Sequence, residues 1–189
     1  MDISVFERKK ATKNSLNKIR WDQNIPGIIY SKEKENQMIF LKKSDMQALI
    51  REIPKGRLST TILDLNLGNS KSKAIIKEIQ YDKTSYEIIH MDFQEVFKDQ
   101  KIRVKVPIEC KGVGECAGVK QGGIFRQTHY FLTVECLPED LPESFVTDVK
   151  DLEIGSFVRF SDLDIPKNVK PLALMQEVAI SIAKPQAAG

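Results

Sequence analysis

The chain has 189 residues, 41% of them hydrophobic, which is enough for one large or two small domains and too apolar for wholesale disorder. No uncharged run approaches the roughly 20 residues that span a bilayer. The chain is polar by residue 7, which does not fit a secretory signal, so a soluble cytosolic protein is expected. Net charge is only +3, but it is unevenly placed: 17 bases against 13 acids in residues 1–95, net +4, and 12 against 13 in residues 96–189, net −1. A polyanionic partner, if there is one, belongs to the first half. The cysteines number three (Cys110, Cys116, Cys136), and no CxxC pair exists. Reduced thiols are expected, and a Cys-Cys-His site with His129 matches no zinc spacing.

Between Arg8 and Arg20 lie six bases, Arg8, Lys9, Lys10, Lys13, Lys18 and Arg20, with no acid among them. Such an arm suits RNA; it also suits a solvated lysine-rich tail. A helix is expected here. Ser15 can cap it, Leu16 and Ile19 share one face, and Lys13, Asn17 and Arg20 share another. Trp21, beside that apolar pair, reads as core more readily than as a stacking ring. Pro26-Gly27 breaks the chain, and Ile28-Ile29-Tyr30 begins an apolar run. Tyr30 reads equally as a strand-end tyrosine or as an amphipathic ring facing RNA.

Residues 38–41 read as a short strand. Ser44 and Gln47 form a capping box before a helix whose Met46, Leu49, Ile50 and Ile53 share a face and which Pro54 and Gly56 stop. Strands are expected over 61–67 and 74–79, the latter ending at Gln80. In the strand over 86–93, period two puts Ile89, Met91 and Phe93 inward and Ile88, His90 and Asp92 outward. The outward pair invites a hydrolytic reading, but the first half holds no cysteine and no G-x-S-x-G to supply a nucleophile. A solvated pair is the plain alternative. RNA contact is the third: imidazole can stack or donate, while Asp92 must accept from a base amino group or brace a neighbour.

A second unit starts near Val96 with a half-buried strand over 102–110. The glycine-rich loop 112–123 matches neither the dinucleotide fingerprint nor a P-loop and reads as a bent β connection. Strands are expected at 131–136, 144–149, 156–160 and 177–183, which makes the second half all-β.

The order basic segment, IPGIIY, KEIQYD, IIHMDF resembles the bacterial large-subunit ribosomal protein twenty-five family, which binds 5S rRNA. The second half, from VPIECKGVGECAGVKQGG to VECLPEDLPESFVTDVKDLEIG, is similar to the extra domain of its longer CTC, or general stress, form. The resemblance implies a mainly β protein with a few short helices: a small N-terminal β-barrel with helices (1–95) that clamps 5S rRNA, and an all-β C-terminal domain (96–189). Carried over by position, it implies RNA contact by Arg8, Lys9, Lys13, Lys18, Arg20, Tyr30, Lys77, Gln80, His90 and Asp92. Ser31, Asn14, Asn17 and Lys77 depart from the usual family residues. The expectation is a non-enzymatic, cytoplasmic, ribosome-associated structural protein. It needs no cofactor, metal, small-molecule substrate or membrane, and its partners are 5S rRNA and, through the C-terminal domain, neighbouring large-subunit proteins. The alternative is a stress-related interaction protein acting mainly through protein contacts.

Overall fold

The structure is a computed structural model that describes residues 2–8, 13–32, 35–68 and 70–185, with Lys13 and Asn14 described by their backbone alone. The chain divides into two compact units, Met1–Gln100 and Lys101–Gly189.

The first unit runs β1 (Asp2–Glu7), α1 (Lys13–Trp21), β2 (Asn24–Tyr30), β3 (Gln37–Lys42), α2 (Lys43–Glu52), β4 (Ile62–Leu67), β5 (Ser70–Tyr81) and β6 (Ile88–Glu95). The six strands close a barrel in the order β1-β3-β2-β6-β5-β4. Closure needs two parallel seams, β1 with β4 and β2 with β6. Alternation fills the interior: Ile3, Val5, Ile25, Ile29, Ile39, Leu41, Leu63, Leu65, Met91 and Phe93 are buried in one cluster. The apolar stripe of α2, Met46, Leu49 and Ile53, joins that cluster.

No strand is read from the sequence before residue 8, yet β1 supplies Ile3 and Val5 to the core. The capping box at Ser44 does not form: α2 follows β3 without a loop, its cap position Lys42 makes no side-chain cap bond, and Ser44 Oγ donates to Asp45 instead. The strand expected over 74–79 extends from Ser70 to Tyr81, with a register shift between Ile76 and Glu78 that leaves Lys77 exposed. Trp21 is not core: it is 79% exposed. On the nine-residue helix α1, whose Leu16 and Ile19 are half-buried, Trp21 lies about 200° around from Ile19.

The second unit holds β7 (Ile102–Lys111), α3 (Ala117–Lys120), β8 (Ile124–Gln127), β9 (Phe131–Cys136), β10 (Phe145–Asp148), β11 (Phe157–Arg159), β12 (Lys170–Pro171) and β13 (Val178–Ala183). They form a four-stranded sheet, β10-β7-β9-β12, and a three-stranded sheet, β11-β13-β8. The glycine-rich loop is not a β connection but a 3-10 turn, Val113–Glu115, followed by α3. A Cβ on Gly118 would lie 2.8 Å from the backbone of Glu153, so that glycine serves close packing. All three cysteines are free thiols, and burial pushes those of Cys110 and Cys136 up.

The β2–β6 seam depends on Gly27. It pairs with Met91, and a Cβ there would sit 2.8 Å from the Met91 carbonyl oxygen. Gly27→Ala must therefore push the two strands apart and should cost about 1–3 kcal/mol. Gly114→Ala, where a Cβ meets open space, should stay within about 0.5 kcal/mol. Denaturant titration of the two variants checks the contrast; equal midpoints would contradict the tight seam.

Candidate nucleic-acid interface

The seam also sets the composition of the barrel's outer face. Register along β6 places Asp92 between Ile28 of β2 and Glu78 of β5, and His90 beside Gln80. Tyr30, at the end of β2, lies opposite Gln94 and reaches back so that its hydroxyl donates to the Asp92 carboxylate. Partial burial, then the charge of Asp92 and that hydrogen bond, then Glu78, push the Tyr30 phenol above its ordinary range. His90 Nδ1 lies 2.9 Å from Asp92 Oδ1. Distance alone would make this an ion pair. The two atoms are nevertheless out of line for a hydrogen bond, and neither has another partner among the described residues, so the geometry supports proximity rather than a finished bond.

The sequence puts His90 and Asp92 outward, and they are outward, but they are not open to solvent. Their side chains are only 18% and 17% exposed. With Nδ1 turned toward Asp92, the other ring nitrogen of His90, Nε2, points away from it. The carboxylate thus holds Tyr30 and faces His90, which fits the bracing role better than a direct contact with a phosphate. Asn66 Oδ1 and Ser72 Oγ are equally orphaned on β4 and β5, so orphaned atoms alone do not define a site. The pair on β6 differs in its setting: the exposed side chains of Tyr30, Gln80 and Lys77 lie on and beside the same face.

Helix α1 is tied to this face. Arg20 Nε donates to the Ile89 carbonyl at 3.2 Å and its Nη1 donates to Asn17 Oδ1 at 3.3 Å. One residue beyond Ile89 is His90, so the C-terminal end of the basic helix abuts the start of the polar strand. Lys18 is exposed in the last turn, where a cation also suits the helix dipole. Past Trp21, Gln23 takes a left-handed φ of 57° that turns the chain into β2.

Arg8 lies farther off. Its backbone N–H and its Nε donate to the Met38 and Ile39 carbonyls of β3, and burial holds its guanidinium somewhat below its ordinary value, still a cation at neutral pH. Part of its donor set is thus committed to extending the β1–β3 pairing. Two strands, β3 and β2, separate it from β6, about 14 Å around the wall at the usual spacing. Lys9, and the side chain of Lys13, lie outside the described residues. The structure therefore gathers Arg20, Tyr30, Gln80, His90 and Asp92, places Lys18 and Lys77 at the margins, and keeps Arg8 on the β3 side. The sequence does not single out Glu78, because its approach to Tyr30 depends on the parallel pairing of β2 with β6, which chain order does not announce.

The raised Tyr30 phenol gives a signed prediction. The fold favours the neutral phenol, so Tyr30's contribution to stability is complete below the ordinary value of 10.0 and is lost as pH rises through the raised one. Asp92→Asn should lower the Tyr30 titration midpoint, followed by NMR of the ring against a Tyr30→Phe control; an unchanged midpoint would contradict the contact.

Residues 3–93 match the Ribosomal L25p family, and residues 101–186 match the family described as Ribosomal protein TL5, C-terminal domain. Among curated proteins, the large ribosomal subunit protein bL25 of Chlamydia abortus is 35% identical over 184 residues, covering 97% of this chain and all of that protein. The bL25 proteins of Chlamydia muridarum and Chlamydia caviae are 32% and 33% identical over the same span, with the same coverage. The β-barrel with its basic helix and the second β unit each match a family model of their own, and the relatives cover nearly the whole chain: the chain belongs to the bL25 family of large-ribosomal-subunit proteins.

Proposed function

We propose that this protein binds 5S rRNA, using α1 and the basic residues before it to neutralise phosphates and the outer face of β6 and β5 to read base or sugar groups. Membership of the bL25 family makes the chain a structural component of the large ribosomal subunit, ribosome-associated in the cytoplasm, and not an enzyme. The observation that carries the 5S reading is the Arg20–Ile89 hydrogen bond, because it fixes the basic helix beside His90. The two parts are chemically distinct. The helix and its approach are rich in cations, whereas the sheet face holds Glu78 and Asp92 close together and would repel phosphate. A surface of that kind favours hydrogen bonding to base edges and to ribose hydroxyls. In this reading Asp92 is a positioning residue for Tyr30 and His90.

The second unit we assign to protein contacts. Its half of the chain carries net −1, and it exposes apolar side chains such as Tyr130, Phe157 and Leu174. Such a surface suits neighbouring ribosomal proteins better than an RNA backbone. The reading in which protein contacts are the main activity draws on the same observations, and it parts from ours on whether the first unit alone binds RNA.

If about six phosphates are neutralised, the affinity for 5S rRNA should fall with log salt at a slope of roughly −4 to −5. His90→Ala should weaken binding roughly ten-fold at fixed salt. Removal of residues 101–189 should leave most of the affinity in place. A slope near zero, or a large loss on truncation, would count against this division of labour.

A further inference from the structure

Two large aromatic rings in the first unit are almost fully open to solvent, Trp21 at 79% and Tyr86 at 80%. Their places in the fold are linked. Lys43, the first residue of α2, donates its backbone N–H to the Gln23 carbonyl just past Trp21 and its Nζ to Glu87 just past Tyr86, at 3.1 and 2.6 Å. The end of α1 and the β5–β6 loop are thereby held at one corner of the barrel, beside an open polar groove lined by Asp22, Gln23, Lys42 and Lys43. Tyr86 also has φ 56°, which is rare for a bulky side chain. The loop around it is well braced: Asp82 accepts from the backbone N–H groups of Thr84 and Ser85, and Tyr86 N–H bonds the Asp82 carbonyl. An unfavourable backbone angle is therefore built in, and it presents a ring to solvent.

We propose that Trp21 and Tyr86 are stacking platforms for unpaired nucleotides of the bound RNA, extending the interface past the C-terminal end of α1. The inference rests on the RNA-binding reading above. Charge assigns the occupant. Trp21 immediately follows Arg20 and lies one turn beyond Lys18, at the end of the segment of highest positive charge; the adjoining groove holds Lys42 along with Asp22, while Lys43 is paired with Glu87. An exposed indole amid cations meets the two needs of single-stranded nucleic acid, a ring for the base and positive charge for the backbone. Through Arg20 the same helix end touches β6 beside His90, so one RNA could engage both places.

Trp21 is the chain's only tryptophan, so its emission reports on this site alone. The full-length protein is titrated with 5S rRNA at low salt, reading affinity by filter binding and Trp21 exposure by acrylamide quenching. Stacking predicts quenched emission, Trp21 shielded from acrylamide in the complex, and a loss of affinity of about five-fold or more for Trp21→Ala and for Tyr86→Ala. Trp21→Phe should keep most of the affinity. If the wild type binds RNA while Trp21 stays equally accessible to acrylamide, the proposal is overturned. It is also overturned if Trp21→Ala, folded by circular dichroism, binds as tightly as wild type, as it would if the ring docked on a protein. If the wild type itself does not bind, the 5S reading falls and the stacking proposal falls with it.

Discussion

The parallel seam between β2 and β6 is the constraint on which the first unit depends. Together with the β1–β4 seam it closes the barrel, and at Gly27 it brings two backbones close together. The same register lays Tyr30 within reach of Asp92 and sets Asp92 between Ile28 and Glu78. Fold and polar face thus share a cause. Any change that shifts this seam by one residue would turn Met91 and Phe93 outward and His90 and Asp92 into the core, which no barrel of this size could accommodate.

The division of chemistry follows from where each charge can be held. Among the described residues the cations of this region sit on a short helix, where Lys18 reaches solvent. The sheet face, by contrast, is partly shielded and carries two carboxylates near a phenol. Coulomb repulsion disfavours phosphate at the sheet face, while its fixed donors and acceptors are of the kind that suit polar edges. Arg20 joins the two regions through one hydrogen bond to a main-chain carbonyl, an anchor that does not depend on the side chain at position 89.

Much of this was legible in the sequence. Alternation in IIHMDF places Met91 and Phe93 inside and His90 and Asp92 outside but fails at Ile88, which packs against the core instead of facing out, and the helical stripe Met46, Leu49, Ile53 marks the buried face of α2. The misses have physical reasons. Strand β1 is six residues long and is held by partners 32 to 62 positions away, so no local turn announces it. Ser44 has the chemistry of a cap but not the place, because the strand runs directly into the helix. The contact of Asp92 with Tyr30 is made across a parallel seam, a register that pattern alone does not give. Trp21 is the opposite case: its exposure follows from counting residues around α1, and the size of the ring obscured a signal that the helical period carries.

The most direct test of the central claim is NMR mapping of isotope-labelled full-length protein with 5S rRNA added in steps. Shifts should cluster on α1, Tyr30, Gln80, His90 and Asp92, with residues 101–185 scarcely moved. Shifts concentrated in the second unit, or confined to β1 and β4 across the barrel from β6, would contradict it.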